Sequence, residues 1–216
     1  MFALPCMSAS PPFSSNRFLQ AMLSAYALVW IAAAIMPRDW PTWALENLLV
    51  VIAIGVFAVT YRRFAFSNLS YLLIAIFLCL HAIGAHSGYM HTPVGDWMKT
   101  TLGLARNPYD RVIHCAFGLL LAYPVRELLI RTGDVRGWAA NWLPVSLVVA
   151  ASTCFEVVEA AVAEIVSPGT GPAWLGAQGD EWDAQLDMAA ALLGAVTAML
   201  ITWWRECDAT PKTMSA

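Results

Sequence analysis

The chain has 216 residues, of which 59% are hydrophobic and 12% are charged, and its formal net charge is −3 at pH 7. This composition, with a mean hydropathy of +0.61, lies far from that of soluble globular domains and shows no basic stripe suited to nucleic acid. The sequence therefore predicts an integral membrane protein whose partners are membrane lipids and not nucleic acid.

Six apolar segments are long enough to cross a bilayer, which takes about 20 helical residues. They cover residues 18–36, 43–61, 69–86, 112–130, 138–166 and 188–204. Since lipid tolerates no unpaired backbone, we predict an all-α polytopic membrane protein, a bundle of six transmembrane helices. The bundle is expected to form a single domain over residues 17–205, between flexible tails at 1–16 and 206–216.

The first segment resembles a secretory signal only in its position. Its apolar run is too long and no small-residue cleavage site follows before Pro37, so we expect it to remain as a helix. With the N-terminus inside, eight Lys and Arg residues fall on the inner side of the membrane and four on the outer side. This excess favours a topology with both termini in the cytoplasm.

Ionisable side chains inside membrane segments cost about 2.5 to 3.5 kcal/mol each, so their positions are informative. On the predicted topology they share the outer half of the bundle: His81, Asp110, His114, Glu156, Glu159, Asp183 and Asp187. Small residues follow on the same helix faces, as Gly118 follows His114 and Gly194 follows Asp187. We therefore predict that the polar side chains face the bundle interior and form an outward-facing site.

These residue types suit acid–base or metal-assisted chemistry. Asp110 precedes His114 by one helical turn and could orient it, and two carboxyls one turn apart can share a proton. The candidate catalytic residues are His114, Asp110, Glu156 and Glu159. A site assembled from several helices could also hold a divalent metal ion as cofactor. The candidate ligands are His81, His114, Glu159, Asp183 and Asp187.

Structural interpretations remain open for each group. Buried carboxyls often only pair with neighbouring helices, and a single histidine is more often a hydrogen-bonded core residue than a ligand. Arg106 and Arg111 could form salt bridges at the rim with Asp96 or Asp110. Alternatively, their guanidinium groups could bind a phosphate or carboxylate of a substrate bidentately.

Three motifs carry a family resemblance: "RNPYDRVIHCAFGLLLAYPVREL", the E-x-x-E of "FEVVEA", and "QGDEWDAQLDMAAALLGA". Together they resemble the YjdF-type inner-membrane proteins of bacteria, and more remotely they are similar to the VanZ-like membrane proteins. The resemblance implies a polytopic envelope protein but no particular chemistry. It adds Asn107, Tyr109 and Trp182 to the two arginines as substrate-binding candidates.

The favoured function is therefore hydrolysis or group transfer on an envelope lipid or a lipid-linked head group, by a site that opens outward. A proton- or cation-coupled transporter would use the same acids and histidines, but the inner half of the bundle lacks a continuing polar path. A scaffold whose polar core only fixes helix packing is the third alternative.

Overall fold

The computed structural model describes residues 11–166 and 180–209, and within these ranges the chain forms seven α-helices and no strand. The helices are α1 (Arg17–Ala33), α2 (Trp40–Thr60), α3 (Asn68–Ser87), α4 (Pro93–Leu102), α5 (Tyr109–Gly133), α6 (Ala139–Val166) and α7 (Asp183–Ala209). The predicted all-α class is confirmed. The predicted tails lie mostly outside the described residues.

Five of these helices, α2, α3, α5, α6 and α7, are long and apolar enough to cross a membrane. Large apolar side chains cover their outer surfaces, and Val59, for example, is 78% exposed. Such exposure is expected where lipid replaces water. A polytopic membrane protein is therefore supported, whereas the predicted count of six spans is not.

The difference lies in α1, which is apolar but has only 17 residues. The sequence predicted that this helix would continue to residue 36, but it ends at Ala33. Met36 takes a left-handed conformation with φ of 52° just before Pro37. Proline disfavours the helical conformation in the residue before it, so the helix stops early.

Helix α4 was not predicted, because the sequence was searched for membrane-spanning segments and 10 residues are too few to cross a bilayer. It begins at Pro93 and ends at Leu102. Gly103 follows with φ of 65°, and its N–H donates to the carbonyl of Lys99. Glycine adopts this left-handed conformation without a steric penalty and so terminates the helix.

Helices α2 and α3 begin at capping side chains. Asp39 accepts a hydrogen bond of 2.9 Å from the backbone N–H of Thr42, and Ser67 caps α3 through Ser70. Hydrogen bonds from the side chain and the backbone of Thr42 lower the pKa of the Asp39 carboxyl below its ordinary value. The charged form of Asp39 is thus the one that caps α2.

The described residues fall into two compact units, residues 11–113 with Asp180, and residues 114–166 with 181–209. In the first, Tyr26, Val50 and Ala82 share a small core. In the second, Val148 packs with Ala195 and Met199. The division falls within the first turns of α5, so the polar residues of the "RNPYDRVIH" motif are shared between the two units.

Candidate functional site

Helices α5 and α7 touch backbone to backbone inside the second unit. A Cβ atom on Gly118 would lie 2.0 Å from the carbonyl oxygen of Ala191, and one on Gly194 would lie 2.1 Å from that of Cys115. Small residues permit such close approach in membranes. Both glycines lie in the positions where the sequence indicated helix contacts.

The contact brings one polar residue of each helix to the same place. His114 lies one turn before Gly118 on α5, and Asp187 lies one turn before Ala191 on α7. Glu156 reaches the same point from α6, and the ligand atoms of the three residues all lie within 4.8 Å of one another. His114 is 8% exposed and Asp187 is 2% exposed. We call this set, His114, Glu156 and Asp187, the triad.

The orientation of the His114 ring matters for what the triad can bind. Its Nδ1 lies 3.4 Å from the hydroxyl oxygen of Ser152, and its Nε2 lies 3.3 Å from Oε1 of Glu156. If Nδ1–H donates to Ser152, Nε2 presents a lone pair to the carboxylate. Two lone pairs at this distance repel each other unless a proton or a metal ion lies between them.

The separation between Nε2 of His114 and Oε1 of Glu156 is longer than a strong direct hydrogen bond and is compatible with two ligands of one metal ion. Charge-assisted N–H···O bonds are about 2.7 to 2.9 Å long, and the observed separation is 3.3 Å. Two ligands placed about 2.0 to 2.1 Å from a tetrahedral zinc ion would lie about 3.3 Å apart. One imidazole and two carboxylates form a donor set suited to zinc or manganese.

Ser152 was not singled out in the sequence, although a signal was present. It lies four residues before Glu156 on α6 and is 2% exposed, so the two side chains share a buried helix face. A hydroxyl or carbonyl that accepts from the distal ring nitrogen fixes the tautomer of a ligating histidine. Ser152 therefore lies within hydrogen-bond distance of the His114 ring nitrogen that faces away from Glu156.

Of the remaining predicted ligands, Asp183 has a carboxylate oxygen within 4.8 Å of one of Asp187, whereas Glu159 and His81 do not belong to the triad. Asp183 is buried in the first turn of α7, one turn before Asp187, whereas Glu159 is exposed on α6. His81 lies in the first unit, where its Nδ1 is 2.7 Å from the Tyr89 hydroxyl and its Nε2 is 3.3 Å from the Glu46 carbonyl. Since both ring nitrogens of His81 are hydrogen-bonded, metal ligation there would require loss of one bond.

Tyr89 reaches His81 through an unusual backbone. Its φ is 46°, directly after Gly88 at 67°. A Cβ on Gly84 would lie 2.5 Å from the Tyr89 ring, so the ring rests on the α3 backbone. Left-handed conformations are uncommon in residues other than glycine and cost free energy. The hydrogen bond to His81 and this packing hold the strained turn, which sequence analysis did not identify.

The two candidate substrate-binding arginines share one partner within the first unit. Arg106 and Arg111 bond to the same oxygen, Oδ2 of Asp180, at 3.2 and 2.6 Å. A salt bridge thus exists at these arginines, with Asp180 as the acid that both share. An anionic head group at these guanidinium groups would have to compete with the Asp180 carboxylate.

Asn107 and Tyr109 lie in the connection between α4 and α5. Asn107 is 1% exposed, and its amide NH2 donates to the Thr92 carbonyl and to Asp96 while its oxygen accepts from the backbone N–H of Tyr109. The Tyr109 hydroxyl donates to the Leu80 carbonyl at 2.9 Å. These bonds order the connection, and substrate contact by Asn107 and Tyr109 remains a prediction.

The last two candidates lie at helix starts. Asp110 falls in the first turn of α5, where an acid interacts favourably with the helix dipole. Trp182 precedes α7 and is 65% exposed. Exposed tryptophan at a helix end is typical of the membrane interface.

Comparisons with known proteins agree with the helical architecture. A family model described as "Predicted membrane protein (DUF2238)" matches residues 18–207. The chain is also 36% identical over 174 residues to the "Inner membrane protein YjdF" of Escherichia coli (strain K12). The aligned region covers 80% of this chain and 83% of that protein. No solved structure matches. The YjdF-type resemblance is confirmed, the VanZ-like one stays a prediction, and the chain belongs to the DUF2238 family of membrane proteins.

Proposed function

We propose that this chain, in the bacterial inner membrane, binds one divalent metal ion at the triad and hydrolyses or transfers an ester of an envelope lipid or lipid-linked head group. The observation that carries the proposal is the convergence of His114, Glu156 and Asp187, whose ligand atoms lie within 4.8 Å of one another. Two carboxylates inside a membrane protein are costly, and a divalent ion would neutralise both.

The triad residues would hold the ion, and Ser152 would keep the His114 ring turned so that Nε2 faces it. A bound zinc or manganese ion lowers the pKa of its water and polarises a carbonyl or phosphoryl oxygen. In hydrolysis the water oxygen bonds to phosphorus or carbon, the ester bond breaks, one water proton passes to a carboxylate, and the leaving oxygen takes up a proton. Glu159, on the same helix as Glu156, is the proposed proton carrier.

Metal analysis of the detergent-purified protein tests the first half of the proposal. Wild type is compared with Glu156→Gln and Asp187→Asn, each dialysed against zinc or manganese. Glu164→Gln is the matched control, since Glu164 is an exposed carboxyl on the same helix as Glu156. We expect near-stoichiometric metal in wild type and in the control, and affinity lowered by about a hundredfold or more in both triad variants. Equal metal content in all four proteins contradicts the proposal.

The second half is tested in vesicles of bacterial polar lipids loaded with the metal-bound protein. Released phosphorylated head groups are measured by phosphorus NMR, and metal inside the vesicles is measured separately. Head-group release that depends on Asp187 supports the enzyme. Metal uptake without release would replace it with the transporter, and failure of the triad variants to fold at all would favour the scaffold.

A further inference from the structure

A groove of about 650 Å³ lies in the second unit, at the C-terminal end of α7 and the N-terminal end of α6. This volume is in the usual range for ligand sites. Most of its lining is apolar or aromatic, with Trp138, Trp142, Val145, Val196, Leu200 and Trp203 among the lining residues. No triad residue lines it, so the inference drawn from it is independent of the proposed function.

The groove has a polar end and an apolar end. The α7 residues that line it run from Cys207 and Glu206 inward to Val196. At 1.5 Å per residue, Glu206 and Val196 are about 15 Å apart along the helix. On the other side the lining begins at Gly137 and Trp138, just before α6, and continues inward along α6 to Val145. Both helices are membrane-spanning candidates, so the groove enters the span from one edge.

Glu206 lines the polar end and forms an ion pair with Arg126, which lies behind it and is not a lining residue. Arg126 donates from Nη2 to both carboxylate oxygens of Glu206, at 2.8 and 2.9 Å, and from Nε to the side-chain oxygen of Asn141 at 3.1 Å. The Glu206 side chain remains 53% exposed. Because the Asn141 oxygen accepts from Arg126, the Asn141 NH2 group is the part left to donate to a ligand.

We propose that this groove binds one zwitterionic glycerophospholipid, with an acyl chain along Val145 and Val196 and the head group at the Arg126–Glu206 pair. The depth and apolar lining suit an acyl chain. Indole rings at such a boundary pack on the chain while their N–H groups donate to ester oxygens. An ammonium is attracted to the exposed Glu206 carboxylate, and a phosphate can accept from the Asn141 NH2 group, so the lining favours a zwitterion over a purely anionic lipid.

Two leucine substitutions on α7 test the groove. Leu200 lines it and is 57% exposed, and Leu193 lies two turns away outside it and is 64% exposed. Leu200→Trp fills the groove, whereas Leu193→Trp makes the same change on the same helix beside it. Neither substitution disturbs a buried position, so both variants are expected to fold.

Each protein is placed in nanodiscs of equal parts phosphatidylethanolamine and phosphatidylglycerol, extracted with mild detergent, and analysed for retained lipid by mass spectrometry. We expect wild type and Leu193→Trp to retain about one phospholipid per chain, enriched in phosphatidylethanolamine. Leu200→Trp is expected to retain about tenfold less, and Glu206→Gln to lose the enrichment.

Equal retention by the two tryptophan variants, or no retained lipid in wild type, would overturn the site. Retention without head-group preference in wild type would overturn the assignment of a zwitterionic lipid. Because every comparison uses protein that has passed size exclusion in detergent, a misfolded variant is removed before the lipid is counted.

Discussion

The close contact of α5 with α7 makes Gly118→Ala an informative substitution. The added methyl carbon would lie 2.0 Å from the carbonyl oxygen of Ala191. Carbon and oxygen in ordinary contact are about 3.3 Å apart, so the two helices would have to separate by about 1.3 Å. Overpacking of this kind costs about 1 to 3 kcal/mol. We expect the upper part of that range, because the obstacle is backbone that no rotamer change can move.

The same separation should disrupt the triad. His114 and Asp187 each lie one turn from the Gly118–Ala191 contact, on opposite helices. Moving the helices apart by about 1.3 Å would separate their ligand atoms by a similar amount, more than the tolerance of about 0.2 Å for a metal site. We therefore expect Gly118→Ala to lower zinc or manganese affinity as well as stability.

Unfolding by dodecyl sulfate in mixed micelles measures the stability change, and competition with a chelating dye measures metal affinity. Gly55→Ala is the control, since a Cβ there would meet nothing within 4 Å. It should leave metal binding unchanged and raise helix stability by up to about 1 kcal/mol. Gly194→Ala, which meets the Cys115 carbonyl from the other side, should repeat the effect of Gly118→Ala.

A Gly118→Ala protein that unfolds at the same detergent fraction as Gly55→Ala and binds metal as wild type does would refute this reasoning. A loss of stability with unchanged metal affinity would refute only the link between the helix contact and the triad. If Gly118→Ala and Gly194→Ala lower stability and metal affinity by similar amounts, both glycines act through the one contact between α5 and α7.

Three further substitutions test individual side chains. Ser152→Ala should leave folding intact and lower metal affinity by about 10- to 100-fold, because the His114 tautomer is no longer held. Asn107→Ala should destabilise the protein by about 1 to 3 kcal/mol in unfolding assays, since it leaves buried donors and acceptors without partners. Asp39→Ala should lower the melting temperature at neutral pH. Because hydrogen bonding lowers the pKa of Asp39, the difference from wild type should persist above about pH 4 and shrink as pH falls through the lowered pKa.

Each of these expectations has an opposing result. Unchanged metal affinity in Ser152→Ala would mean that Nδ1 of His114 is oriented by another group. An Asn107→Ala protein as stable as wild type would show that the α4–α5 connection adds nothing to folding. A melting difference for Asp39→Ala that stays constant from neutral to acidic pH would show that the charge of Asp39 does not support the cap of α2.

The structure places Glu156, rather than the predicted ligand Glu159, beside His114. Glu156 and Glu159 lie three positions apart on α6, and helical spacing alone allows both to share a face. Glu156 meets His114 at 3.3 Å, and Glu159 is exposed. A rotation of α6 about its own axis would turn Glu159 toward His114 and Glu156 away from it. Packing against the neighbouring helices sets this rotation, so the sequence of α6 alone does not determine it.

Helix α4 was missed for a different reason, since its 10 residues are too few to cross a membrane.

By itself the sequence determined that the chain is a helical membrane protein with polar residues concentrated on a few faces. The physical reason is that a bilayer leaves the backbone no partner except itself, so apolar length alone specifies helices. Only the tertiary structure decided that His114, Glu156 and Asp187 meet, that Arg106 and Arg111 share Asp180, and that His81 pairs with Tyr89. Those contacts depend on how closely glycine faces approach and how each helix is rotated, and both are properties of the packed helices rather than of any one segment.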